Sequence, residues 1–293
     1  MPDLSAFANV WEHARLLSDV PRNQAYIDLL SRHAKGKRVL EIGCGTGLLS
    51  CIAAKLGASH VYAVEPTAVS EVARELVAHN GLEGLVDVLD GRLEDLEPRP
   101  VDLAFSELLN ADPFFEGVVP VSNAAAPWIA PGGLLAPRRL RVYAALVRGA
   151  DCAREVRQAK RSLGRFADQF QLSLGPLIDT METDESYRFM SQNHLPVSEP
   201  VLLYDIALGD GSEPEEEQVV HTRVAEPGPV DGAVVWFECT LDEGIVLHNR
   251  PGTDSHWGQL VCGWSTEIGA RAGADVELCV DIDEGELDIR PRT

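Results

Sequence analysis

Apolar and polar positions follow two different rhythms along the chain, and the change between them marks its organisation. From Arg38 to Trp128, short apolar runs alternate with stretches whose apolar residues recur at helical spacing. Arg38-Val-Leu-Glu-Ile42, His60-Val-Tyr-Ala-Val64, Val86-Asp-Val-Leu89 and Val101 to Phe105 predict strands, while Gly47 to Leu56, Thr67 to Asn80 and Val119 to Trp128 predict helices. This alternation predicts a parallel, doubly wound sheet, because parallel strands need crossover connections that helices supply. Ahead of it, residues 5 to 34 read as two helical stretches broken at Asp19-Val-Pro21, with Ala25, Leu29 and Leu30 on one face of the second.

From about Leu134 the rhythm changes. Leu140 to Val147, Val201 to Ala207, Val234 to Cys239, Gln259 to Cys262 and Val276 to Val280 are short strand-like runs separated by Gly, Asp and Pro turns. They predict an antiparallel sandwich or barrel. Between them, Asp151 to about Gln192 reads as a partly helical insertion, and Glu213 to Glu217 as an acidic, solvated loop.

Composition narrows the function. A chain of 293 residues accommodates two domains, each with its own core. No apolar run approaches the ~20 residues of a membrane span. Met-Pro-Asp-Leu-Ser-Ala lacks the pattern of a secretory signal, so a cytoplasmic enzyme is expected. The net charge of -21 argues against nucleic acid as a partner. It suits steering of a cationic substrate, and equally plain solubility. The six cysteines have no metal-site spacing and are expected to be reduced.

Val39-Leu-Glu-Ile-Gly-Cys-Gly-Thr-Gly-Leu48 predicts a strand, a glycine turn and a helix. Gly43, Gly45 and Gly47, with Cys44 between them, let a ligand approach the backbone closely. The dinucleotide fingerprint needs a glycine at position 48, which is leucine. Glu65 ends the next strand, where a carboxylate can take both hydroxyls of a ribose. Together these residues point to S-adenosylmethionine (SAM). Leu93 and Glu94 follow the third strand, where a carboxylate can accept from an adenine amino group; taken alone, Glu94 reads as a surface acid.

Glu107 and Glu116 bracket a single loop, Ser106-Glu-Leu-Leu-Asn-Ala-Asp-Pro-Phe-Phe-Glu-Gly117, which leaves the strand Val101–Phe105. Like charges converging in a cleft cost energy. A guanidinium removes that cost, since it offers donors in two directions and pairs with carboxylates bidentately.

With these residues in hand, the chain resembles the protein arginine methyltransferases over nearly its whole length. Val39 to Leu49 resembles the family's first motif, and Ser106-Glu107 to Glu116-Gly117 its double-glutamate loop. Asp254-Ser-His-Trp-Gly-Gln259 resembles its threonine-histidine-tryptophan loop, with Ser255 in place of threonine. The resemblance implies N-terminal helices (1–36) that close over the cofactor, and a Rossmann-like SAM-binding domain (37–136). A β-barrel substrate domain (137–293) follows, with an inserted arm at about 148–176 that makes a homodimer. His13 and Arg22 would hold the methionine carboxylate of SAM, and Asp19 would pair with His256. Trp257 would wall the guanidinium site. Without the resemblance, His13 and Asp19 read as an exposed helix face, Arg22 as a surface arginine and Trp257 as a barrel-core aromatic.

Departures from the family refine this. The tyrosine-rich stretch that supports the substrate glutamates is absent, the nearest positions being Asp3 and Phe7. Gly117-Val118 stands where dimethylating members place a methionine. Glu116-Gly-Val-Val-Pro120 and Pro137 to Tyr143 look closest to the monomethylating branch. Similar bacterial enzymes of nitroso natural-product pathways monomethylate free L-arginine, which becomes the expected substrate. Arg138, Arg139, Arg250 and Asp112 are candidates for its amino-acid end. The alternatives are a protein arginine methyltransferase and a silent SAM-binding scaffold.

Full deprotonation of a guanidinium at pH 7 would cost ~8 kcal/mol, about six pKa units. Glu107 and Glu116 can avoid most of it by orientation and charge localisation. The departing proton is expected to leave through Glu116, or through His256 with Asp19.

Overall fold

The structure, a computed structural model, describes Leu16 and residues 18–150, 152–175, 186–191, 194–253 and 255–292. Five parallel strands form the first sheet: β1 (Arg38–Ile42), β2 (His60–Glu65), β3 (Val86–Asp90), β4 (Val101–Ser106) and β5 (Ile129–Ala136), in the order β3-β2-β1-β4-β5. Its core gathers Leu40, Ile42, Val64, Leu93, Val101, Ala104, Ala125 and Trp128. Removing each large apolar side chain from water contributes ~1.5–3 kcal/mol. The sheet reverses direction of build at β1 and β4, so the loops after both strands open at one end of it. Those loops carry the glycine turn and the paired glutamates.

Strand β5 is not among the strands predicted from the sequence. Ala130-Pro-Gly-Gly133 lies within this edge strand, whose pairing jumps from Val101↔Ile129 to Leu103↔Leu134. Pro131 is tolerated because an edge strand has unpaired backbone on one side. The predicted helix over Val119–Trp128 is α4 (Val118–Ala124) followed by one 3₁₀ turn, Ala126–Trp128.

Helix α1 (Val20–His33) begins at Asp19, whose Oδ1 accepts from the Arg22 backbone N–H at 2.9 Å. Its buried face is Arg22, Tyr26, Leu29 and Leu30, and Ala25 is only half-buried. At its far end His33 Nε2 lies 2.8 Å from Asp242 Oδ2. Helices α2 (Leu48–Lys55) and α3 (Val69–His79) follow β1 and β2.

The remaining strands are antiparallel. A six-stranded sheet runs β7-β12-β10-β6-β8, with β11 on β10; a three-stranded one runs β14-β13-β9. Their ranges are β6 (Arg139–Val147), β7 (Ser186–Ser191), β8 (Val201–Ala207), β9 (Glu217–Arg223), β10 (Gly228–Asp242), β11 (Ile245–His248), β12 (Gln259–Ala270), β13 (Asp275–Asp283) and β14 (Glu286–Pro291). Ala145, Val147, Ala150, Val234, Trp236 and Val261 pack as one core here, with Tyr143 against them. Helix α5 (Cys152–Phe170) lies within the predicted arm. Strand β9 begins at the end of the stretch predicted as an acidic loop.

Contacts divide the chain into two compact units. One comprises Met1–Arg141, Asp205–Pro214 and Glu238–His248; the other comprises Val142–Tyr204, Glu215–Phe237 and Asn249–Thr293. Among the described residues no helix is long and apolar enough to cross a membrane.

Candidate active site

The glycine turn holds Gly43, Gly45 and Gly47 at φ of 71°, 51° and 74°. L side chains rarely adopt this left-handed region. A Cβ on Gly47 would also stand 3.0 Å from Ala73 Cβ on α3. Gly47→Ala is therefore expected to weaken S-adenosylhomocysteine binding about tenfold or more, measured calorimetrically, because the loop must shift to relieve that contact.

Glu65 sits buried at the end of β2. Its Oε2 accepts from Gly45 N at 2.9 Å, and its Oε1 accepts from Thr67 N at 3.0 Å and Thr67 Oγ1 at 2.6 Å. Oε2 keeps a lone pair for a ribose hydroxyl, so loop and acid fit an adenosyl group. Glu41, in β1 beneath the turn, accepts a short hydrogen bond from Ser50 Oγ. Burial pushes its pKa up to about 8, against the Ser50 hydrogen bonds that favour the charged form. Cys44 is buried in the turn and its thiol is pushed well up by burial. Leu93 is buried in the sheet's core, whereas Glu94 is exposed, 3.9 Å from Arg92.

Arg22 is not a surface arginine. Its guanidinium is buried and grips Glu107 Oε2, with Nε at 3.0 Å and Nη2 closer still. Burial works to lower the Arg22 pKa, but the charge of Glu107, with Tyr26, the Glu107 hydrogen bond and Glu41 adding to it, makes the net shift upward. The Arg22 guanidinium also lies 5.8 Å from the centre of the Tyr26 ring, and the Tyr26 hydroxyl donates to the Ser106 carbonyl at 2.9 Å. Helix α1 is thereby tied to the residue just before Glu107.

Two consequences follow for the glutamates. Glu107 Oε1 is buried and has no hydrogen-bond partner among the described residues. Glu116 has its pKa raised to about 8, first by burial and then by the charge of Glu107. A buried Glu107 oxygen without a partner among the described residues, coupled to a second carboxyl whose ionisation burial opposes, suits a cation with several donors.

The sequence does not single out Tyr26 or Asn110. Tyr26 follows Arg22 by one helical turn, a spacing that could have flagged it. Asn110 donates to Glu116 Oε1 at 3.0 Å and carried no signal beyond being polar after two leucines.

In the second unit, the His256 and Trp257 rings stand 4.2 Å apart, and Trp257 packs edge-on against Phe237 at 5.3 Å. Trp257 Nε1 is buried without a partner among the described residues. Their loop is pinned at its base: Asn249 Nδ2 donates to Gly258 O at 2.6 Å, and Gln259 Nε2 donates to Asn249 O at 2.8 Å. Asp19 is buried at the start of α1 rather than on an exposed face. Of the candidates for the substrate's amino-acid end, Arg139 is paired with Asp205, at 2.6 Å through Nη2, and Asp112 Oδ1 accepts from Phe114 N at 3.1 Å. Arg138 reaches only to 3.9 Å from Asp242 and is exposed. His13 and Asp254 lie outside the described residues.

A family profile described as ribosomal protein L11 methyltransferase (PrmA) matches residues 25–157. An arginine N(omega)-methyltransferase from Streptomyces achromogenes subsp. streptozoticus is 31% identical, covering 94% of this chain and 79% of its own. The chain belongs to the protein arginine methyltransferase family. Protein arginine N-methyltransferase 6 of Xenopus tropicalis is 29% identical, over 98% of this chain and 87% of its own. The fold of this arginine methyltransferase is shared with protein arginine methyltransferase 10 of Arabidopsis thaliana, with a TM-score of 0.86 at 24% identity over 98% and 93% of the two chains. The PRMT1 enzyme–prozyme heterotetramer of Trypanosoma brucei, solved with AdoHcy, matches with a TM-score of 0.80 at 21% identity over 97% and 93%.

Proposed function

We propose that this enzyme places one methyl on the guanidino group of free L-arginine, giving Nω-methyl-L-arginine. Its family membership makes it a SAM-dependent arginine N-methyltransferase. The observation that carries the reading is the unpaired, buried Oε1 of Glu107 beside Glu116.

SAM supplies an electrophilic methyl on a sulfonium sulfur. Gly43, Cys44, Gly45, Gly47 and Glu65 hold it in this proposal, with Arg22, His13, Leu93 and Glu94 completing the cradle as the family resemblance implies. Glu107 Oε1 and Glu116 take two edges of the substrate guanidinium and draw positive charge onto the nitrogens they face. The third nitrogen keeps the least delocalised lone pair and becomes the nucleophile. It gains the methyl carbon as that carbon's bond to sulfur breaks and S-adenosylhomocysteine leaves as a neutral thioether, and it loses a proton, so the product remains a guanidinium. A carboxyl titrating at about 8 suits reception of that proton near neutral pH, which favours Glu116 over His256 with Asp19. His256 and Trp257 keep their proposed roles through the motif they share with the family.

Free arginine is favoured by the similarity to an enzyme named for arginine itself, and by a loop, Glu116-Gly-Val-Val-Pro120, of the monomethylating kind. Labelled SAM offered to equal concentrations of L-arginine and an arginine-rich peptide is expected to label the amino acid, as read by mass spectrometry. Label confined to the peptide would make this a protein methyltransferase. A cytoplasmic setting in natural-product biosynthesis accords with that substrate.

The proposed assembly is a homodimer through α5. Phe166 and Phe170 stack at 6.4 Å on that helix, and both are more than half exposed, as is Leu172. A double Phe166→Ser, Phe170→Ser variant is expected to run as a monomer in light scattering. An unchanged mass would remove α5 from the interface.

A further inference from the structure

Between the two glutamates the loop carries Leu108 and Leu109, then Asn110. Asn110 Oδ1 accepts from the Ala111 backbone N–H at 2.7 Å, and Asn110 Nδ2 donates to Glu116 Oε1 at 3.0 Å. The first bond fixes which end of the amide is oxygen, so the second must be an N–H offered to the carboxylate. Both ends of this half-buried side chain are therefore committed. The geometry points to Asn110 as the positioning residue that holds Glu116 oriented and ionisable for a guanidinium.

This inference rests on the functional reading of Glu116 given above. The charged groups acting on Glu116 are Glu107, from its own loop, and Arg22, from α1. Burial and the charge of Glu107 oppose ionisation of Glu116; the Asn110 hydrogen bond and Arg22 favour it. A neutral donor is the suitable partner here. An aspartate at 110 would set a third carboxylate against Glu116 Oε1, and a lysine would pair Glu116 with the protein's own cation in place of the substrate's. Alanine would leave Oε1 without its donor, and loss of a hydrogen bond to a charged group is worth about a tenfold change or more.

The test titrates Glu116 directly. Difference infrared spectroscopy of the resting protein, with Glu116→Gln subtracted to assign the band, follows this carboxyl without requiring turnover. The midpoint is expected to rise from wild type to Asn110→Ala, and further in Asn110→Asp, by about one unit or more for the latter. In parallel, kcat for arginine at pH 7 is expected to fall about tenfold in Asn110→Ala, with the deficit closing as pH rises. A removed donor raises the pKa, so the active carboxylate is recovered only at higher pH. Unchanged midpoints in both variants would overturn the proposal, as would a pH-independent loss of rate matched by a fall in melting temperature. A wild type that methylates no guanidine would instead sink the functional reading, and the order of midpoints would still decide the role of Asn110.

Discussion

Glu107→Gln is expected to lower methyl transfer to arginine by about a thousandfold or more, while S-adenosylhomocysteine still binds. The variant is isosteric, so the loop and its packing are retained. What is lost is the negative charge facing the guanidinium, in a buried site where electrostatic stabilisation of a developing charge is worth about two to three orders of magnitude per group. Glu107 Oε1 has no hydrogen-bond partner among the described residues, so the loss at that oxygen falls on substrate, while the loss at Oε2 falls on the ion pair with Arg22 and is read separately as a fall in melting temperature. Arg22 keeps an amide oxygen to donate to, though its counter-charge is gone. Single-turnover rates and calorimetric cofactor binding, measured side by side, check this. Retained turnover would contradict the pairing of Glu107 with substrate, and joint loss of turnover and cofactor binding would place Glu107 on the cofactor side.

Arg22→Met is expected to destabilise the fold by roughly 3–5 kcal/mol, the usual consequence of stranding one partner of a buried ion pair. Both side chains are less than a tenth exposed, so solvent screening offers little relief. A fall of about 10 °C in melting temperature corresponds to such a loss in a chain of this size. The double variant Arg22→Met, Glu107→Gln is expected to recover most of that stability, since no unpaired charge remains. Cofactor affinity is expected to stay low in both, because Arg22 is proposed to hold the SAM carboxylate. If the double variant recovers cofactor binding together with stability, Arg22 serves the fold alone.

The parts of the site legible in the sequence were those written in local spacing. The glycine turn, Glu65 at the end of β2 and the nine-residue interval from Glu107 to Glu116 need only strand and loop order to be placed. Arg22 gripping Glu107 could not be read, because it depends on helix α1 turning its Arg22–Tyr26–Leu29–Leu30 face inward. Periodicity there weighted Ala25, an apolar residue, over a buried arginine whose burial is offset by a partner 85 positions away. In the fold, β5 was not predicted: Pro131 and two glycines disfavour a strand unless it lies at a sheet edge, and edge position is not written in local sequence. Strand β9 was missed because its exposed positions are Glu217, Val219, His221 and Arg223, so the alternation begins on the same acidic run that reads as loop. Asn110 was invisible for a different reason: a lone asparagine in a loop takes its meaning from the carboxylate that folds back onto it.

The most direct measurement is the product formed when L-arginine is driven to exhaustion with excess SAM. Nω-Monomethyl-L-arginine is expected as the end product, with the methyl on a guanidino nitrogen and no further addition. Dimethylarginine, or arginine recovered unmodified beside a methylated peptide, would contradict it.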